Sequence, residues 1–219
     1  MAASPLTPGK LARAVLGVRL SRVAGRAYRA LFVDLDKAAD AIAAEIPPGA
    51  HVLDVGGGDG EPLNALLDRR SDIRVTTIDV APTVGQWIEA RHAGRVRCIP
   101  STTINVFADA DEALPGVVLV ADVVHHVPVA QREGFFAALA ALMHRSPGLR
   151  VIVKDVEPGH LRASLGYLSD RWVSGDKEVQ LVGRAALIAA MRRAAGAVSC
   201  RETPLFAVDP PNYALVFWR

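Results

Sequence analysis

Residues Val52 to Gly60 read Val-Leu-Asp-Val-Gly-Gly-Gly-Asp-Gly: an apolar strand runs into an acid and then into a turn almost without side chains. A backbone stripped in this way can lie directly against a ligand. Glycine at Gly56, Gly58 and Gly60 permits positive φ and close approach to a nucleoside, and Asp54 at the strand's end supplies an anionic acceptor. The spacing discriminates between ligands. A dinucleotide turn needs G-x-G-x-x-G, and Glu61 stands where the third glycine counted from Gly56 should be. The pattern present is D-x-G-x-G-x-G, from Asp54 through Gly56, Gly58 and Gly60, with Gly57 as an extra glycine inside it.

With 219 residues, 51% of them hydrophobic, the chain suits one globular domain with a large core. Cys98 and Cys200 lie far apart, without a C-x-x-C pair or a histidine cluster, which argues against a disulfide framework or a structural zinc site. A reducing cytosol is the expected compartment, since no apolar stretch is long enough to span a bilayer and the N-terminus lacks the unbroken apolar core of a signal peptide. Charge is unevenly placed. Lys10, Arg13, Arg19, Arg22, Arg26 and Arg29 all precede Asp34, the first acid, which leaves 19 bases against 23 acids for the rest. Leu11, Val15, Val18 and Leu20 recur among these bases near helical spacing, so a basic amphipathic helix is expected. It either packs its apolar stripe on the domain or meets a membrane surface or a nucleic acid.

From the glycine motif onward, strands and helices alternate. A helix over about 34–45 ends at Pro47-Pro48-Gly49, just before a strand over 51–55. A helix over 60–70 follows, then a β-branched strand over 73–79 that ends on an acid, and Pro82 is placed to open another helix. Strands are expected over 95–99, 116–121 and 150–155, with helices over about 130–144 and 184–195. The Val/Leu run at 116–121 suits a strand buried on both faces. Two closing strands over 198–203 and 213–218 are separated by about ten residues expected to hold no helix, too few for a parallel crossover, so the last strand should run antiparallel. Such alternation implies an α/β fold with a mostly parallel sheet, helices on both faces, and ligands beyond the carboxyl ends of the strands.

The motif from Asp54 to Gly60, Asp79 at the end of the second strand, and the antiparallel finish together resemble the class I S-adenosylmethionine-dependent methyltransferases of small-molecule type, over roughly residues 51–219. The resemblance implies a Rossmann-like three-layer sandwich around a seven-stranded sheet of order 3-2-1-4-5-7-6. It divides the chain into an N-terminal helical extension, 1–46, and an S-adenosylmethionine-binding domain, 47–219. It also implies the cofactor's contacts. Asp54, Gly56, Gly57, Gly58 and Gly60 would cradle it, Asp79 would accept from both ribose hydroxyls with Val80 beside it, and Ser101 and Thr102 follow the third strand where the adenine would lie, with a turn role as the alternative. The run Ala121-Asp122-Val123-Val124-His125-His126-Val127-Pro128 is similar to the D-V-L-H-H-L-P segment of such enzymes, which puts Ala121 and Asp122 beside the methionine half.

His125 and His126 are thereby candidates for touching substrate, or else they brace the loop. Neighbours in an extended stretch point to opposite sides, so one of the two should face the pocket. Methyl transfer from a sulfonium is an in-line displacement, and a histidine suits the removal of a proton from a phenol or a protonated amine. Lys154 and Asp155 end the fifth strand at the same crevice, and a lysine there either serves the reaction or pairs with an acid. No metal is expected: Asp122 and Asp155 could approach one another as in catechol-type enzymes, but Val156 stands where that pattern has asparagine. The connection over 156–183 is long enough to have a job of its own and carries His160, Tyr167 and Trp172. With the N-terminal helices it is expected to form a lid for an aromatic or amphipathic small molecule, unless these aromatic residues fill an ordinary core.

The main expectation is therefore an O-methyltransferase of biosynthetic or secondary metabolism; the sequence names neither its acceptor nor its oligomeric state. A second reading is an RNA ribose 2'-O-methyltransferase, in which Lys37, Asp122, Lys154 and Glu202 would stand for that family's Lys-Asp-Lys-Glu set and the basic N-terminus would hold phosphates. A third is a cofactor-binding partner protein without catalysis.

Overall fold

A computed structural model of the protein describes residues 32–110, 112–164 and 179–219. The expected basic helix, Tyr167 and Trp172 lie outside the described residues. Seven strands form one sheet: β1 (His51–Val55), β2 (Arg74–Ile78), β3 (Val96–Ile99), β4 (Val117–Ala121), β5 (Arg150–Val156), β6 (Ser199–Glu202) and β7 (Asn212–Trp218). Their order is β3-β2-β1-β4-β5-β7-β6, and only β7 runs antiparallel to its neighbours β5 and β6. This is the expected α/β sheet.

Alternation along β4 explains the three layers. Val118 and Val120 face one core, with Leu53, Val55, Val151 and Val153 from neighbouring strands, under helices α3 (Ile104–Asp109), α4 (Val129–Arg145) and α5 (Arg184–Ala195). Val117 and Leu119 face the other, with Val52, Val75 and Ile152, under α1 (Leu35–Ala43) and α2 (Glu61–Arg69). A strand covered on both faces has no polar side to show, which is why it reads as an unbroken Val/Leu run. Helix caps fix where the elements start. The Asp34 carboxylate accepts from Lys37 N at the head of α1, and Thr103 accepts from Val106 N at the head of α3.

Three local expectations are corrected. Pro82 opens no α-helix: between β2 and β3 the only helical stretch among the described residues is a 3₁₀ segment, Ala90–Arg95. The amides that such a helix would have used are taken by the glycine turn, Gly85 N donating to Gly58 O at 2.9 Å and Trp87 N to Asp59 O at 2.7 Å. The stretch between β6 and β7 does hold a helical turn, α6 (Leu205–Val208), whose Leu205 is buried against Val33, Ala38 and Ala214. Helix α3 is additional, and its buried Ile104, Phe107 and Ala108 recur at the spacing of one helical face. No helix among the described residues is long and apolar enough to cross a membrane.

Tyr213 on β7 is wholly buried, and its hydroxyl donates to Val182 O at 2.7 Å. Tyr213→Phe leaves that carbonyl unpaired. It should lower stability by about 1–2 kcal/mol, seen as an earlier urea midpoint with an unchanged denaturant slope.

Candidate active site

The glycine turn joins the ends of three strands. Gly56 N and Gly57 N donate to Ile78 O on β2, at 2.8 and 3.2 Å. Gly56 has φ +75°, and a Cβ there would sit 2.5 Å from Val123 beyond β4, so the turn and the β4 exit are in direct contact. Gly58 also has positive φ, +54°, but a Cβ there would meet nothing within 4 Å: the turn presents bare backbone to open space at this point. Gly57 lies against Thr77 and Gly60 against Ile88.

Asp79, directly after β2, accepts from Gly58 N at 2.9 Å through one carboxylate oxygen and from Ala81 N at 2.8 Å through the other. Ser101 N donates to Ala81 O and Thr102 N to Asp79 O, at 2.9 and 2.8 Å, so Ser101 and Thr102 fasten the end of β3 to the same turn. Val80 projects outward, 73% exposed.

Asp54 is buried and, among the described residues, takes one side-chain hydrogen bond, from Thr77 Oγ1 at 2.8 Å. Burial pushes its carboxyl up to about 6, against the Thr77 bond and with the help of the nearby Asp79 charge. Thr77 escaped the sequence reading. Its signal was one of two adjacent hydroxyls, Thr76 and Thr77, in a strand buried from Val75 to Ile78.

Beyond β4 the chain turns sharply. Ala121, the last residue of β4, pairs in register with Lys154, and Asp122 adopts a left-handed φ of 57°. Lys154, 3% exposed at its side chain, donates from Nζ to both oxygens of Asp122, at 2.6 and 2.7 Å. The lysine thus has its acid, the pairing reading of the two. Val124–His126 then form a 3₁₀ turn, not the extended stretch expected. The two histidine rings consequently do not diverge; their centroids lie 4.2 Å apart at 45°. His126 is exposed, whereas His125 is buried and its Nδ1 lies 2.6 Å from Asp155 Oδ1.

Asp155 is completely buried. Its Oδ1 also accepts from Val156 N at 2.8 Å, and its Oδ2 has no hydrogen-bond partner among the described residues. Side-chain atoms of Asp122, His125 and Asp155 all fall within 4.8 Å of one another. One compact cluster thus joins all the residues expected to carry chemistry except His126, which stands at its rim.

Among the described residues, Lys37 and Glu202 do not join it by any bond. Lys37 Nζ pairs with Asp34 at 3.2 Å, and Glu202 pairs with Arg184 at 2.8 Å.

The two segments expected to choose the acceptor are rooted together beside this edge. Arg162, early in the long connection, donates to Asp209 Oδ1 at 3.1 Å, Pro210 O at 2.6 Å and Phe32 O at 3.0 Å. Asn212 Nδ2 reaches the same Phe32 carbonyl, and Asp34 N donates to Asp209 Oδ2, both at 3.0 Å. Asn212 is the register partner of Val156 at the end of β5, so this knot sits one residue from Asp155.

No protein-family model matches the chain, and no curated protein matches it. Solved structures do. The S-adenosylmethionine-dependent methyltransferase SibL superposes with a TM-score of 0.70 at 21% identity, over 100% of this chain and 63% of that one. The mitomycin 7-O-methyltransferase MmcR gives 0.62 at 21% identity, over 84% and 53%. The neocarzinostatin-biosynthesis O-methyltransferase NcsB1, in complex with S-adenosylmethionine and 2-hydroxy-5-methyl naphthoic acid, gives 0.58 at 21% identity, over 81% and 51%. The chain shares their fold and spans between half and two thirds of their length.

An ionised Asp54 without a cationic side chain on it destabilises the ligand-free protein. The sign follows from a folded pKa of about 6 against an ordinary 3.8. Stability contributed by the neutral carboxyl is fully present below the ordinary value and is lost as pH rises through about 6. Asp54→Asn keeps an acceptor for Thr77. It should match the wild type in urea melts at pH 4 and exceed it by up to about 3 kcal/mol at pH 7.

Proposed function

We propose that the protein transfers a methyl group from S-adenosylmethionine to an oxygen of a small aromatic acceptor, with His125 as general base and Asp155 as the residue that orients it. The buried pair His125 Nδ1–Asp155 Oδ1, at 2.6 Å beside the glycine turn, carries this reading. A carboxylate on Nδ1 holds the ring proton there, so the Nε2 lone pair is the one turned to chemistry. It also stabilises the imidazolium formed when that nitrogen takes a proton. Removing the proton of a phenol as the bond to carbon forms matches a base whose ordinary pKa lies near neutrality.

The donor set fits the cofactor. S-adenosylmethionine, when bound, supplies a methyl group on a positively charged sulfur. Asp54 is a buried carboxylate with no basic side chain bonded to it among the described residues, the complement of a cationic ligand. The exposed backbone at Gly58, flanked by Gly56, Gly57 and Gly60, admits a ligand edge. Asp79 would accept from ribose hydroxyls, with Val80, Ser101 and Thr102 on the adenine side. Ala121 and Asp122 would border the methionine half, and Lys154 holds Asp122 in place. Lys154 is thereby a positioning residue, with its ammonium shared between both oxygens of one carboxylate. The same neutralisation of Asp122 favours a reaction without a metal ion.

Residues 1–46 and 156–183 form the cap over the acceptor in this reading, supported by the shared root at Arg162, Asp209 and Phe32. The naphthoic acid bound in the neocarzinostatin enzyme's structure is consistent with an aromatic acceptor. Two free cysteines, Cys98 and Cys200, suit a reducing cytosol. The ribose-methylating reading loses its motivation, since Lys37 and Glu202 are bonded elsewhere.

Labelled-methyl transfer against phenols, carboxylates, lipids and RNA tests the proposal. Phenols should be labelled, undiminished by EDTA. His125→Ala should lower kcat by roughly 10²–10⁴-fold with cofactor Kd unchanged. Label entering carboxylates alone, at a rate indifferent to His125→Ala, would replace base catalysis by simple alignment. Loss of activity in EDTA with rescue by magnesium would overturn the metal-free part.

A further inference from the structure

The first turn of α4 carries an arginine that touches both segments framing the His125–Asp155 pair. Arg132 donates from Nε to Val127 O at 3.0 Å, on the loop that holds His125, and from Nη2 to Gln180 O at 2.8 Å, where the long connection returns to the domain. Gln180 in turn donates its backbone N–H to His125 O at 2.9 Å. Three hydrogen bonds thus close a ring through His125, Val127, Arg132 and Gln180. Two residues on, Val182 O is held by the buried Tyr213, so the returning segment is fixed at two points.

We infer that Arg132 is a positioning residue of the proposed reaction: it locks the loop of His125 to the returning segment at Gln180 and places a fixed positive charge beside that loop. This inference rests on the reading of His125 as the base. Its geometry is that of a fork. A planar guanidinium can serve two carbonyls at once from nitrogens with fixed directions, whereas an ammonium is a point donor on a flexible stem. Its charge matters as well as its shape. The arginine is half-buried, and burial lowers its pKa from the ordinary guanidinium value while the Asp155 charge pulls it back up. Asp155 is a fully buried carboxylate with one oxygen lacking a partner among the described residues, while its Oδ1 faces the histidine.

The sign of the electrostatic effect is fixed. A cation near the pair disfavours imidazolium, so it keeps His125 neutral, and able to accept a proton, to lower pH. Among the described residues, the other ionisable groups around the pair include His126 on the same turn, Asp122 and Lys154 bonded to each other, and Glu157 and Arg184 bonded to each other beyond β5. Tyr213, opposite Asp155 on β7, has its hydroxyl pKa pushed far above the ordinary value by burial and then by the Asp155 charge, so it stays neutral. All of these remain in place in the variants below.

The experiment separates charge from fork. Arg132→Gln removes both: acceptor KM should rise about tenfold, and the acid limb of the kcat–pH profile should move to higher pH. Arg132→Lys keeps the charge alone, so the acid limb should stay near its wild-type position while the KM remains raised. Cofactor Kd and thermal unfolding, measured alongside, should change little. Wild-type KM and an unmoved limb in both variants, with His125→Ala inactive, would overturn the inference and leave the base reading standing. Full activity in His125→Ala would sink both. Loss of cofactor binding in step with turnover in both arginine variants would reduce Arg132 to a residue that only holds the fold, which also overturns the inference.

Discussion

Two carboxylates stand at the carboxyl ends of strands buried on both faces, and the site is built around keeping them there. Asp54 and Asp155 are 6% and 0% exposed, and neither is bonded to an arginine or lysine among the described residues. An ion taken out of water without a partner opposes folding, and a protein that needed only stability would replace it with an apolar residue of similar size. What surrounds the two acids is a set of partial answers. Asp54 has a threonine hydroxyl and a neighbouring glycine turn; Asp155 has an imidazole, one backbone amide and a guanidinium at a distance. Each answer lowers the cost without cancelling the charge, as the proposed roles of Asp54 toward a cationic ligand and of Asp155 toward a base would require.

The sheet makes this arrangement economical. Parallel pairing of β1 with β4 and of β4 with β5 brings three strand ends, more than thirty residues apart in sequence, to one edge. Side chains that must be near one another need no long loops to reach. The contrast with the third acid is instructive. Asp122 lies past the end of β4, half-exposed, and there a full ion pair with Lys154 is formed. Partial solvation makes an ion pair tolerable at that position, and the pair fixes a left-handed residue that an isolated aspartate would adopt at some strain.

Much of this was legible in the sequence for one reason: periodicity and glycine punctuation are local. The Val/Leu strands, the glycine turn and the acids at strand ends each declare themselves within ten residues. Helix α3 was passed over because its six residues offer barely one apolar repeat, and the Pro82 segment was misread because distant carbonyls at Gly58 and Asp59 claim its amides. The site divides along the same line. His125 and Asp155 were both visible as candidates, but their bond spans thirty residues and two strands, which no spacing reveals. Arg132 and Gln180 were invisible for a deeper reason. Their bonds end on main-chain carbonyls, which every residue type carries.

In the proposed reading, acceptor choice falls to the parts of the chain that are least periodic, and the described ends of those parts are firmly fastened. The connection that follows β5 leaves the sheet at Val156, one residue after the buried acid, and returns at Gln180, bonded to the histidine's own carbonyl. Its two described ends therefore both touch the His125–Asp155 pair. If the connection caps the acceptor as proposed, acceptor binding and base alignment would be mechanically coupled through those ends. The Arg162 knot extends the fastening to Phe32, just ahead of α1, because the same guanidinium that holds the start of the connection also holds that carbonyl. Under the proposed function, selectivity need not come from a rigid, preformed pocket: an acceptor that failed to settle against the connection would also fail to present its oxygen to a correctly held histidine.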